Sequence, residues 1–207
     1  MDLLRRDLEM ARRYWRTFRG VEVYRRWMAE PQAAFYAEVN GTIRYQAEVI
    51  RELYPRAKML LIVRDGRGVV RSVMGWQQFY GPRSRGAYAI APLPGDPYHD
   101  LWSSMGRFEK ICWSWMDSNE RLMRCIPEGY WCRLEAIATD YDYFSERFIQ
   151  PTNLDIDRIL WRTRMAQRSR NATRQYAFPA WEEWSTDQMH SFERICGDTM
   201  RKLGYEC

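Results

Sequence analysis

Tyr54-Pro-Arg-Ala-Lys-Met-Leu-Leu-Ile-Val-Arg-Asp-Gly-Arg-Gly-Val-Val-Arg-Ser72 is the stretch on which the fold turns. Residues 59–63 form a continuous apolar run ending in two β-branched residues, Ile62 and Val63, which suits a parallel strand covered on both faces. Arg64 follows at the carboxyl end of that strand, the edge where ligands collect in open α/β sheets. A helix is expected next, with Asp65 as its cap and Val69, Val70 and Val73 as its apolar face. Its first turn presents unpaired N–H groups and a positive dipole end. Ser72 points back over position 68, where glycine leaves room for a ligand. Arg64 and Ser72 are thereby placed to hold one anion. The plain alternative is an ordinary strand–turn–helix crossover with Arg64 paired to a surface carboxylate.

On either side of this stretch the pattern alternates between elements. Helical signals span roughly 2–18 and 21–30, a short strand is expected at 35–39, and a helix runs from about 42 to 53. Residues 81–105, with Pro82, Pro92, Pro94, Gly95 and Pro97, form a long irregular insertion. Such loops act as lids or are surface decoration. Tyr80, Tyr88, Tyr98 and Trp102 make this one a candidate acceptor-binding lid. From Arg107 a helix presents Phe108, Ile111, Cys112, Trp115 and Leu122 on one face and ends before Pro127. A strand is expected at 130–134. Near the end, Ser185 and Gln188 have the spacing of a capping box, and Gly204 closes the last helix after a stripe of Phe192, Ile195, Cys196, Thr199 and Leu203.

The order of these pieces resembles the sulfotransferases that use 3′-phosphoadenosine 5′-phosphosulfate, PAPS, and in particular the bacterial and tyrosylprotein types. In that family a strand ends in Arg-Asp and a serine follows eight residues after the arginine, as Arg64, Asp65 and Ser72 do here. Tyr36-Ala-Glu-Val-Asn40 resembles the preceding strand, and Arg107-Phe-Glu-Lys-Ile-Cys-Trp-Ser-Trp115 the long helix. Tyr130-Trp-Cys-Arg-Leu-Glu135 resembles the next strand, and Asn171 with residues 181–205 the closing segment. The resemblance implies an α/β, P-loop-like three-layer fold around a short parallel sheet, with PAPS as cosubstrate and a hydroxyl or amine as acceptor. It implies that Arg64 and Ser72 bind the 3′-phosphate and that a basic loop at Arg168, Arg170 and Asn171 closes over it. A solvated basic turn is the alternative for that loop. Glu135 corresponds to a carboxylate that generally fixes a neighbouring loop.

One family element has no counterpart. The first strand and glycine-rich loop, which cradle the 5′-phosphosulfate with backbone N–H groups and a hydroxyl, should precede residue 34, where Gly20 is the sole glycine and serine is absent. The chain is then either a piece that begins downstream of that loop or a shortened homologue. With the missing strand expected between 59–63 and 130–134, its absence leaves a gap of roughly 9.6 Å or forces those two strands to pair directly, because neighbouring strands lie about 4.8 Å apart. A non-catalytic nucleotide- or protein-binding descendant, and a phosphotransferase of similar architecture, remain alternatives. Glu38, at the end of the 35–39 strand, is the candidate general base or else a structural hydrogen-bond acceptor. His99 is a weaker candidate base, and His190 is not one.

Composition narrows the remaining classes. A chain of 207 residues, 46% apolar and 15% aromatic, suits one domain with a sizeable core. The formal charge of +5 rests almost wholly on arginine, since only Lys58, Lys110 and Lys202 are lysines. That bias is compatible with phosphate and sulfate ligands, and arginine-rich coding, the competing explanation, accounts for it more simply. Basic and acidic residues are interspersed and no nucleic-acid signature is visible. The amino-terminal stripe of Leu4, Leu8, Ala11, Trp15 and Phe18 is expected to pack on its own domain rather than on a membrane surface. No signal peptide or membrane span is evident, so the expectation is a soluble cytoplasmic chain as written, the alternative being a signal or anchor upstream of residue 1. Five unpaired-looking cysteines read as reduced thiols, and two distant histidines offer no metal cluster.

Overall fold

A computed structural model describes residues 2–82, 84, 90–165 and 177–206. Among the described residues the protein is mostly helical, with one two-stranded parallel sheet. Where composition leads one to expect a single domain, the chain forms two compact units, Met1–Ala57 and Lys58–Cys207.

The first unit is helical. α1 (Asp2–Arg6) and α2 (Leu8–Tyr14) are separated by Asp7, whose carboxylate accepts the Met10 N–H at 2.9 Å. Helical winding then continues through a π turn at Trp15–Arg19 into α3 (Gly20–Ala29). Gly20 does not break the helix as its sequence context suggests. A Cβ there would lie 2.7 Å from the Trp15 carbonyl and 2.8 Å from the Tyr54 hydroxyl, so the glycine serves a close approach. After a 3-10 turn at Ile43–Gln46, α4 (Ala47–Leu53) packs on α2. Ala11, Trp15, Tyr45, Ala47, Val49 and Ile50 are buried, and the Trp15 indole donates to the Gln46 side chain. The expected stripe is therefore only half interior: Phe18 is 70% exposed.

The strand expected at 35–39 does not form. A lone strand leaves both rows of backbone groups unpaired, and the first unit offers it no neighbour among the described residues. Val39 is 93% exposed.

The second unit carries the sheet. β1 (Leu61–Val63) leads through Arg64 and Asp65 into α5 (Gly66–Met74), and α6 (Arg107–Cys125) precedes β2 (Trp131–Arg133). β1 and β2 pair directly and in parallel, Leu61 with Trp131, Ile62 with Cys132 and Val63 with Arg133, so no gap separates them. β2 ends a residue earlier than expected because Leu134 starts α7 (Leu134–Thr139). α8 (Tyr141–Phe144), a π turn, α9 (Gln150–Thr152) and α10 (Arg158–Met165) follow. Cys132, Ile137 and Phe144 form a core cluster there, joined by Leu60, Phe148 and Trp161. Burial pushes the Cys132 thiol pKa up to about 11, which leaves it inert at neutral pH.

Packing of α6 on α11 (Thr186–Lys202) makes the larger core. Ile111, Cys112, Trp113, Trp115, Phe192, Ile195, Cys196 and Met200 are all buried there. The capping box is present in both directions: the Ser185 hydroxyl accepts the Gln188 N–H at 3.2 Å, and the Gln188 side chain accepts the Ser185 N–H at 2.9 Å. The described parts of 81–105 are anchored on this core at several points, with exposed stretches between them. Ile90 is buried, and Trp102 stands edge-on to Trp113 at 4.9 Å and to Tyr80 at 5.5 Å. Tyr88 lies outside the described residues.

Candidate anion site at the end of the first strand

The peptide unit that follows Arg64 is tied to distant elements at both of its polar groups. The Trp115 indole of α6 donates to the Arg64 carbonyl at 3.2 Å, and the Asp65 N–H donates to Glu135 of α7 at 3.1 Å. Asp65 caps α5, its carboxylate accepting the Arg67 N–H at 2.8 Å and pairing with the Arg67 guanidinium at 2.6 Å. The first amides of α5 thus already face a carboxylate. The room that Gly68 was expected to leave for a ligand lies one face away, and the Arg64 guanidinium itself fills it.

Arg64 occupies that face. A Cβ at Gly68 would lie 3.4 Å from its Nη2, 3.5 Å from Nε and 3.7 Å from Cζ, so the guanidinium rests along the first turns of α5. Ser72 stands four residues further on the same face, about 5–6 Å from position 68. Arg64 is exposed and Ser72 half-buried, and among the described residues neither side chain has a hydrogen-bond or ion-pair partner. The surface carboxylate of the plain alternative is not there. A partner-free guanidinium on a helix face that also carries a partner-free hydroxyl is chemistry that a phosphate or sulfate dianion can engage.

The far end of α5 is held by a residue to which sequence patterning assigned no such task. Arg107 donates to the carbonyls of Met74 at 2.8 Å, Val73 at 3.2 Å, Trp76 at 2.9 Å and Phe79 at 2.9 Å. Burial lowers its pKa, while the carbonyl dipoles at a helix C-terminus favour its charge. One signal was available: arginine in the first turn of α6 opposes that helix's dipole, which suggests a job elsewhere. α5 is flanked by the 178–181 stretch too, since Arg71 donates to the Phe178 carbonyl at 3.2 Å and the Arg67 guanidinium lies 5.6 Å from the Trp181 ring. Arg168, Arg170 and Asn171, expected to close over the phosphate, lie outside the described residues.

Glu38 belongs to the first unit and not to a strand end. Its carboxylate accepts from Arg19, from the Tyr36 hydroxyl at 3.1 Å and from the Asn40 amide at 2.9 Å. Burial alone would raise its pKa, but hydrogen bonds from Asn40, Arg19 and Tyr36 and the nearby Arg19 charge hold it below the ordinary carboxylate range. A carboxylate so engaged is a poor proton acceptor, and its geometry is that of the structural alternative. His99, the weaker candidate base, contacts Asp100 at 2.8 Å on the surface. An apolar groove of about 450 Å³ is lined by Arg16, Gly20, Val21, Tyr24, Leu53 and Tyr54, all in the first unit and none of them predicted as a site residue.

Among the described residues no group of three His, Cys, Asp or Glu side chains is placed to hold a metal ion, and no helix is long and apolar enough to cross a membrane. Comparison with protein-family models, with curated proteins and with solved structures finds no match for this chain.

Proposed function

We propose that the chain is a homologue of the PAPS-dependent sulfotransferases, of P-loop-like three-layer architecture, in which Arg64 and Ser72 hold the nucleotide's 3′-phosphate. The observation that carries this is Arg64: exposed, without a partner among the described residues, and lying over Gly68 on the Ser72 face of a helix fixed at both ends. A surface arginine with no role would gain from any of the carboxylates nearby, yet Asp65 is taken by Arg67 and Glu135 by the Asp65 amide.

PAPS fits this corner at one end. Its 3′-phosphate meets a guanidinium and a hydroxyl, whereas no cradle for the 5′-phosphosulfate stands among the described residues. Bound PAPS supplies an activated sulfuryl group; transfer of that group to a hydroxyl or amine also needs a stabilised leaving oxygen and a base. At this corner the described residues supply the anchor alone. Direct pairing of β1 with β2 favours a second reading, in which the chain binds adenosine 3′,5′-bisphosphate or PAPS without transferring sulfuryl. A phosphotransferase needs the same missing cradle, and nothing among the described residues favours it.

Calorimetric titration with adenosine 3′,5′-bisphosphate tests the site. Arg64→Ala is expected to weaken binding about 10- to 100-fold, the worth of one or two charge-assisted hydrogen bonds. Adenosine 5′-monophosphate, which lacks the 3′ group, should bind both proteins equally. No binding by the wild type, or equal bisphosphate binding by Arg64→Ala, overturns the proposal. Sulfate release to an acceptor mixture then separates transferase from binder.

A further inference from the structure

The carboxyl-terminal turn reaches the site. α11 ends in a Schellman motif: the Tyr205 N–H donates to the Met200 carbonyl at 3.0 Å and the Gly204 N–H to the Arg201 carbonyl at 3.0 Å, with Gly204 left-handed at φ +76°. This reversal brings the Tyr205 side chain back to the sheet. Its hydroxyl donates to Glu135 Oε2 at 2.8 Å and lies 3.3 Å from the Val63 carbonyl, while the other oxygen of Glu135 holds the Asp65 N–H. Arg133 of β2 secures the tail, donating to the Gly204 carbonyl at 2.8 Å with its guanidinium 5.9 Å from the Tyr205 ring.

We infer that Tyr205 is a positioning residue for the anion site, acting through Glu135 on the turn that carries Arg64. This rests on the reading of Arg64 given above. One oxygen of Glu135 needs a donor so that the other stays directed at the Asp65 amide, and the phenol supplies it. Burial and the bond to Glu135 raise the Tyr205 pKa, which keeps the phenol a neutral donor at neutral pH. The tail thereby sets how firmly Arg64 is presented, so the last turn of the chain and the first strand of the sheet act on one site.

Tyr205→Phe removes only the hydroxyl. On the full chain, amide hydrogen exchange at Asp65 should quicken about tenfold, and adenosine 3′,5′-bisphosphate should bind about three- to tenfold more weakly. In an Arg64→Ala background the same change should cost no further affinity, because the effect runs through Arg64. Gly204→Ala, which strains the left-handed turn while keeping the hydroxyl, should reproduce both effects. Unchanged exchange at Asp65 in Tyr205→Phe overturns the inference, as does faster exchange with unchanged affinity. A wild type that binds no bisphosphate overturns the anion site instead; exchange at Asp65 then still supports or overturns Tyr205 as the residue that holds the turn.

Discussion

Arg64 and Glu38 invite comparison, because sequence patterning puts each at the end of a strand and gives each a charge with work to do. At Arg64 the backbone is tied and the side chain is free: Trp115 holds its carbonyl, Glu135 holds the next amide, and the guanidinium has no partner among the described residues. At Glu38 the arrangement is reversed. The backbone runs irregularly beside a fully solvated Val39, while the carboxylate is engaged by Arg19, Tyr36 and Asn40. A charge that satisfies its own neighbourhood stabilises the fold; a charge left unsatisfied on a rigid mount is available to a ligand. That contrast separates the two residues better than their sequence settings do.

The largest effect is expected at the mount rather than at the site. Arg107→Ala leaves carbonyls at the end of α5 without their donor and should lower the stability of the second unit by about 3 kcal/mol, seen as a reduced urea midpoint. A loss below about 0.5 kcal/mol, within the range of ordinary surface substitutions, would mean that α5 does not depend on the clamp. Next comes Glu38→Gln, which weakens the hold on the largely buried Arg19 and should cost about 1–2 kcal/mol, moderated by the second pair that Arg19 makes with Glu22. Bisphosphate affinity should be unchanged in that variant.

pH sharpens the same contrast. The folded pKa of Glu38 is depressed, so its contribution is fully present above its unfolded value of about 4.3 and is lost as pH falls through the lower folded value. Acid titration should therefore show wild type and Glu38→Gln fully separated in stability above about pH 5 and drawing together as pH falls below about 4.3. A gap that widens on acidification contradicts the ion-pair assignment. The smallest effect belongs to Ser72→Ala: about three- to tenfold weaker bisphosphate binding with stability unchanged. A Ser72→Ala protein that binds as well as wild type would leave Arg64 alone in the site.

Much of the second unit is legible from local pattern. The Asp65 cap, the Ser185–Gln188 box and the Gly204 stop each express a local rule and stand where that rule puts them, whereas the apolar run at 59–63 yields a strand only at Leu61–Val63, with Ile62 39% exposed, so one face is open where both were expected to be covered. The strand expected at 35–39 failed because a strand is not a local object: its stability depends on a neighbour, and sequence pattern alone does not supply one. Gly20 misled for a related reason. Its lack of a side chain answers to Tyr54, more than thirty residues away, as well as to the Trp15 carbonyl of the π turn that leads into its helix. Arg107 and Tyr205 escaped notice as supports because their partners are backbone carbonyls and a distant carboxylate, which leave little mark on periodicity. Positions 168, 170 and 171 lie outside the described residues, so their part in the site stays a proposal.

Adenosine 3′,5′-bisphosphate affinity measured side by side in Arg64→Ala and Glu38→Gln tests the account most directly. Arg64→Ala should lose about 10- to 100-fold in affinity while unfolding at the wild-type urea concentration, and Glu38→Gln should bind like wild type while unfolding earlier. Affinity that falls with Glu38→Gln and holds with Arg64→Ala would contradict it.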